Sequence, residues 1–198
     1  IFDMKKNTLD IVLPVYNEAK ELSSSVETLV SFVLTHMKEY AVNIVVVDNA
    51  STDETFAIAK MLSKRFSIVT SIHLNEKGRG RAVKKAWTTS RAQFVSYMDI
   101  DLSSDLKHFP ALVHALSRGF DIAIGTRNAR ESKVYARSLM RTITSKMYII
   151  LIHLFFFVHF SDAQCGFKAM TSSLARKILP QVVDDEWFFD TELLILAE

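Results

Sequence analysis

The chain has 198 residues, 49% of them hydrophobic, and a formal net charge of +2. That length suffices for one sizeable core, and five glycines and three prolines leave no linker-like tract to divide it. So small a charge, with no basic run interleaved with aromatics, gives no footing for a nucleic-acid surface. The single cysteine, Cys165, excludes an internal disulfide framework and a multi-cysteine zinc site and fits a reducing compartment such as the cytoplasm. The sequence opens at Ile1 without a signal-peptide pattern. It stops at Glu198 inside an apolar helical run, so that helix is expected to continue.

Taken in order, Leu9 to Val15 and Asn43 to Val47 are short β-branched runs ending in polar residues, the pattern of strands buried on both faces of a parallel sheet. Between them, Glu18 to Tyr40 carries Leu22, Val26, Leu29, Val30 and Val33 at helical spacing. Asp53 to Phe66 repeats that pattern behind the capping candidates Ser51 and Thr52. Further strands are predicted over Ser67 to Leu74, Gln93 to Met98 and Asp121 to Ile124, with helices over Arg79 to Ser90 and Phe109 to Ser117 between them. The alternation predicts an α/β fold, a Rossmann-like α/β/α sandwich with a mostly parallel central sheet and its ligand at the carboxyl ends of the strands.

Beyond Ile124 the character changes. Arg137, Arg141 and Ser145 fall at intervals of four, and an apolar stretch runs from Met147 to Phe160. Fourteen residues are too few for a bilayer core, which needs about 20. A helix around 138–160 therefore either packs in the core or lies in a membrane interface. Near an anionic leaflet, Arg130, Lys133, Arg137, Arg141 and Lys146 would each add about 1 kcal/mol of attraction.

Every polar cluster of interest stands at a predicted strand end: Tyr16-Asn17-Glu18, Asp48-Asn49, Asp99 to Asp101, and Gly125-Thr126-Arg127. Asp99 and Asp101, one residue apart, are suited to share a divalent cation, Mg2+ or Mn2+, with a substrate diphosphate. Asp105 reads as a cap for the Phe109 helix, which leaves that pair without a structural task. Locally, Asn17 also reads as a helix cap and Glu18 as a first-turn charge. The loop Asn75-Glu76-Lys77-Gly78-Arg79-Gly80-Arg81 has neither Walker nor dinucleotide spacing. Its glycines and cations ahead of a helix suit either a phosphate-bearing ligand or a solvated turn.

In order, Leu13-Pro14-Val15-Tyr16-Asn17-Glu18, Val46-Val47-Asp48-Asn49-Ala50-Ser51-Thr52-Asp53, Asp99-Ile100-Asp101, Gly125-Thr126-Arg127 and Asp162-Ala163-Gln164-Cys165-Gly166-Phe167-Lys168 resemble glycosyltransferase family 2, of GT-A fold. Within it, Arg137 to Arg141, Gln164 to Lys168 and Trp187 to Leu194 look most like dolichyl-phosphate β-glucosyltransferases and polyprenyl-phosphate mannose synthases. The resemblance implies that Pro14, Tyr16, Glu18 and Asp48 hold the nucleotide, that Lys77 and Arg79 lie near the phosphates, and that Asp99 and Asp101 bind the metal. It further implies that Gln164 and Asp190 sit by the donor sugar and reaction centre, and that Arg127, Arg137 and Arg141 receive the acceptor phosphate. Three positions depart from the family pattern: Asn49 is an amide where a carboxylate is common, Ile100 is a larger filler, and Ser103 stands where mannose synthases place Gln.

The activity implied by the resemblance is inverting, metal-dependent transfer of a hexose from UDP-glucose, or from GDP-mannose, to a polyprenyl phosphate at the cytoplasmic face of a membrane. A phosphate nucleophile is largely ionised near neutrality and needs positioning more than deprotonation. A saccharide hydroxyl acceptor would instead require a base, with Asp190 as the candidate. Asn49 and Ser103 also keep open a catalytically silent nucleotide-sugar binder. A nucleotidyltransferase would want a glycine- and lysine-rich loop after the first strand, which Tyr16-Asn17-Glu18 is not.

Overall fold

β1 (Asn7–Val15) and β2 (Tyr40–Asn49) pair in parallel over their whole length, from Asn7 opposite Tyr40 to Val15 opposite Asp48. The computed structural model describes residues 6–127 and 139–198 and takes these strands into a six-stranded sheet. The others are β3 (Val69–Leu74), β4 (Phe94–Met98), β5 (Ile122–Ile124) and β6 (Phe167–Thr171), in the order β3-β2-β1-β4-β6-β5. The helices are α1 (Leu22–His36), α2 (Thr55–Arg65), α3 (Arg79–Thr89), α4 (Phe109–Ser117), α5 (Leu139–Phe156), α6 (Ser172–Ile178) and α7 (Phe189–Ala197). Alternate residues of a strand serve opposite faces. Thus Ile44 and Val46 pack with Leu22, Val26, Leu29 and Leu62, whereas Val45 and Val47 pack with Ala82, Val83, Trp87 and Phe189.

The predicted α/β architecture is present, and the predicted strands and helices of the first 125 residues all form. Local caps differ. Helix α1 starts at Leu22 rather than Glu18, because Asn17 takes a left-handed conformation with φ of 55° and uses its side-chain Oδ1 to accept from the Thr52 amide at 2.8 Å. In return Ser51 Oγ accepts from the Asn17 amide at 2.9 Å. Ser51 and Thr52 therefore lace the first two loops together, and Asp53 caps α2 by accepting from the Thr55 amide at 3.0 Å. Asp105 caps as expected, accepting from the Lys107 amide ahead of α4.

Strand β6 is not foreseen by the alternation, and it positions the site. It runs antiparallel between β4 and β5, with Phe167 opposite Met98. Its amino end therefore meets the carboxyl end of β4, which delivers the stretch from Asp162 to Lys168 to the same edge as Asp99.

Helix α5 and the residues just after it are only partly packed against the rest of the fold. Ile152 and Val158 are buried, but Ile150, Leu154, Phe155 and Phe157 are 63%, 65%, 71% and 83% exposed. The helix thus attaches through a narrow seam, with Tyr148 Oη 2.7 Å from Thr191 Oγ1 of α7, and does not join the core broadly. Among the described residues no helix is long and apolar enough to cross a membrane.

Candidate active site

At the nucleotide side, Pro14 lies in β1 opposite Val47, and Tyr16 follows it at the rim, its ring 4.2 Å beneath the Lys77 ammonium. Glu18 is half-buried, and its carboxyl is pushed up by burial first and then by Glu21, Asp101 and Asp53. Glu18 and Asp101 therefore feel each other across the cleft. Asp48 is fully buried, with Oδ2 2.6 Å from His73 Nδ1, while Asp48 Oδ1 and Asn49 Oδ1 have no hydrogen-bond partner. Orphaned buried acceptors are uncommon and call for a donor from a ligand or water.

The carboxylate pair sits just past β4. Asp99 accepts from Arg79 Nη2 at 2.7 Å through Oδ1, and Asp101 accepts from the Ser103 amide at 3.0 Å. The second amino group of Arg79 reaches Asp190. This bridge depends on a close approach of α3 to α7: a Cβ at Gly80 would lie 2.5 Å from Cβ of Phe189, so only glycine lets the two helix starts meet. Asp185 ties the same ends together through Arg81 Nε at 3.2 Å and Lys84 Nζ at 2.8 Å.

Asp190 is held by three donors. Besides Arg79, it receives the Tyr97 hydroxyl and, at 2.9 Å, the ammonium of Lys168, a lysine with 0% exposure. Lys168 also donates to Cys165 O at 2.6 Å and Tyr97 Oη at 3.0 Å, so its three protons are all placed. Burial pushes the Asp190 carboxyl up, but Lys168, Arg79 and the hydrogen bonds outweigh it and hold it below the usual range. Burial likewise opposes the charge on Arg79, and Tyr97, Asp190 and Asp99 more than compensate. Tyr97 is pushed up by burial and by Asp190. The sequence offers Asp190 as a candidate base; its side chain is the centre of a buried ionic network inside the first turn of α7.

Among the described residues no group of three or more Asp, Glu, His or Cys is gathered around a metal position. Asp99 and Asp101 still fit Mg2+ or Mn2+ in kind, since such ions take one or two carboxylates and complete their shell with substrate phosphate and water. At Ser103, a backbone amide donates to Asp101 and no side-chain ligand is added.

On the acceptor side, Arg127 spends its fork on Asp162, with Nε to Oδ2 at 2.8 Å and Nη2 to Oδ1 at 3.0 Å, and its backbone amide adds a third bond at 3.1 Å. Gln164 is exposed and donates its amide to Asp162 at 3.1 Å. Arg137 lies outside the described residues, and Arg141 lies within α5. Sequence reasoning singled out neither Lys168 nor Asp162 as individuals. An isolated lysine in the apolar run Phe167 to Met170 was the available signal for the first.

Residues 10–179 match the family model described as Glycosyl transferase family 2. The chain belongs to glycosyltransferase family 2. Among its relatives, a protein named Glycosyltransferase AglD of Haloferax volcanii is 32% identical over 96% of this chain and 31% of its own length. A Dolichyl-phosphate beta-glucosyltransferase of Drosophila melanogaster is 32% identical over 96% of this chain and 62% of its own. This chain thus spans less than two thirds of either relative. The solved structure of the mannosyltransferase PcManGT from Pyrobaculum calidifontis, in complex with GDP-Man and Mn2+, superposes with a TM-score of 0.62 at 16% identity, over 96% of this chain and 52% of that one. Glucosyl-3-phosphoglycerate synthase from Mycobacterium tuberculosis, in complex with UDP, gives 0.59 at 20% identity, over 85% and 58%. These neighbours fix the GT-A fold for the family 2 chain.

Proposed function

We propose that this family 2 chain is the single catalytic domain of an inverting, metal-dependent transferase that moves a hexose from a nucleotide sugar, UDP-glucose in preference to GDP-mannose, to dolichyl or polyprenyl phosphate. The observation that carries the acceptor half is the set of three donors that hold Asp190. A saccharide hydroxyl needs a base, and a carboxylate held by Lys168, Tyr97 and Arg79 below its usual range is a poor one. A phosphate monoester arrives already ionised and needs only to be held in line. The names of the dolichyl-phosphate relatives favour the same acceptor and a glucosyl donor.

In this reading Pro14, Tyr16, Glu18 and Asp48 seat the nucleoside, and the buried Asp48 Oδ1 accepts from its base or ribose. Lys77 and Arg79 face the diphosphate, Gln164 lies by the sugar, and Asp190 orients Arg79. A divalent cation held by Asp99 and Asp101 supplies charge neutralisation for the departing diphosphate, worth several kcal/mol in general. Arg127, Arg137 and Arg141 receive the acceptor phosphate, Arg127 through the amino group not engaged by Asp162. The exposed face of α5 lies against the cytoplasmic surface of the membrane that carries the lipid acceptor.

The test is product mass after incubation with UDP-glucose or GDP-mannose, Mn2+, and either a short-chain polyprenyl phosphate or free saccharides. Hexosyl polyprenyl phosphate is expected, from UDP-glucose first, and Asp101→Ala abolishes it. Transfer to saccharides alone, donor binding without turnover, or undiminished transfer by Asp101→Ala each overturns the corresponding part of the assignment.

A further inference from the structure

Arg79 already occupies one oxygen of the carboxylate pair on which a metal would rest. Of the two Asp99 oxygens, Oδ2 is turned onto Gly166, where a Cβ would lie 1.9 Å away, and Oδ1 is bonded to Arg79 Nη2 at 2.7 Å. The guanidinium is largely buried, with its centre 5.1 Å from the Tyr97 ring and 5.6 Å from the Trp187 ring. A divalent cation on Asp99, whose side chain is 43% exposed, would therefore meet an oxygen already accepting a hydrogen bond and the positive charge of a guanidinium whose side chain is 17% exposed.

Resting on the metal reading above, we propose that Arg79 is a gate on the metal seat: the donor's diphosphate draws one of its amino groups off Asp99 and so opens that carboxylate to the cation. The geometry suits a swap without wholesale movement. The other amino group remains on Asp190, which is 1% exposed and is also held by Lys168 and Tyr97. The guanidinium thus pivots about a fixed carboxylate, exchanging an Asp99 oxygen for a phosphoryl oxygen, and both are charge-assisted acceptors of the same kind. Without the diphosphate the seat is closed by the ion pair; with it, the arginine and the cation bind the same phosphates from two sides. Metal and nucleotide then bind with positive coupling, which by linkage is reciprocal.

The experiment measures Mn2+ affinity by electron paramagnetic resonance of free Mn2+, with and without UDP or GDP, after correction for the ion chelated by nucleotide alone. The native protein is expected to bind Mn2+ weakly by itself and about tenfold more tightly with nucleotide present, within the range usual for coupled sites. Arg79→Gln removes the gate: Mn2+ alone binds about tenfold more tightly than to the native protein, and the nucleotide-dependent gain shrinks. Arg79→Lys keeps the charge but has no fork to span two carboxylates, so it also tightens Mn2+ binding, by less. Circular dichroism confirms folding, which is expected because Asp190 keeps Lys168 and Tyr97. Unchanged Mn2+ affinity in Arg79→Gln, with nucleotide-dependent binding intact in the native protein, overturns the gate alone. Tightening in Arg79→Gln but not in Arg79→Lys reduces the effect to a general field and also overturns it. No Mn2+ binding by the native protein under any condition overturns the metal reading and the gate with it.

Discussion

Gly166 lies against the carboxylate of Asp99 so closely that a Cβ at position 166 would stand 1.9 Å from Oδ2, while the Asp99 amide donates to Gly166 O at 3.3 Å. The main chain just ahead of β6 thus forms the wall behind the first member of the carboxylate pair. Gly166→Ala has to push Asp99 forward or part β4 from β6. A shift of about 1 Å in a reacting arrangement costs on the order of 100-fold in rate, whereas overpacking costs roughly 1–3 kcal/mol of stability. The expected outcome is a protein that still folds but whose transfer rate falls on the order of 100-fold. Steady-state kinetics beside a thermal melt separate the two effects; loss of both together would mean that the wall is merely structural.

Lys168 and Asp190 form an ion pair at 2.9 Å with side chains 0% and 2% exposed. Removing one partner of such a pair leaves a buried charge and costs about 3–5 kcal/mol. Lys168→Met is therefore strongly destabilising, with the loss at the lower end because Arg79 and Tyr97 still reach Asp190. Lys168→Met combined with Asp190→Asn should cost less than the sum of the single changes, since each removes the charge the other strands. Urea melts of the four proteins measure this. Additive losses would show that the pair does not act as a unit.

What the sequence shows best is the sheet edge. The β-branched runs and their polar ends place Tyr16, Asp48 and Asp99 at the ends of β1, β2 and β4 because parallel strands buried on both faces leave few alternatives. The network around Asp190 is less legible. It depends on β6 entering antiparallel beside β4, and Phe167 to Thr171 carries too short an apolar run to declare its direction. Pairing Arg79 with Asp190, 111 positions apart, needs the α3–α7 contact that only Gly80 hints at. Ser51 and Asn17 misread as caps for a related reason: a side-chain acceptor that suits a helix start suits a neighbouring loop equally well, and the choice is tertiary.

Among the carboxyls held below their usual range, Asp190 and Asp162 are the buried ones. Burial raises each carboxyl, and in each case the arginine or lysine partners and hydrogen bonds outweigh it, so the folded value lies below the unfolded one, about 3.9. A depressed carboxyl contributes stability that is present above the unfolded pKa and is lost as pH falls through the folded value. The native protein should therefore hold its stability down to about pH 4 and lose it below that. Asp162→Asn, which strips the charge from the Arg127 bridge, should lower stability at pH 7 by roughly 1.5–3 kcal/mol and flatten the acid slope. Chemical denaturation at pH 7, 4 and 3 decides it; an Asp162→Asn protein with the native slope would locate the acid sensitivity elsewhere.

Helix α5 yields the prediction with the least structural cost. Leu154 and Phe155 are 65% and 71% exposed, whereas Ile152 is 6% exposed. Exposed substitutions usually stay within about 0.5 kcal/mol, so Leu154→Asp and Phe155→Asp should melt like the native protein, while Ile152→Asp should not. If the face rests in a membrane interface, each side chain contributes about 1.5–3 kcal/mol of burial there. Each aspartate should then weaken cosedimentation with phosphatidylserine-containing vesicles by roughly 10- to 100-fold, the ratio to which that energy converts. High salt should weaken native binding only in part, because the apolar contribution is not screened. Native-like vesicle binding by the Leu154→Asp, Phe155→Asp double variant would take the membrane away from this face and leave it to be covered by protein.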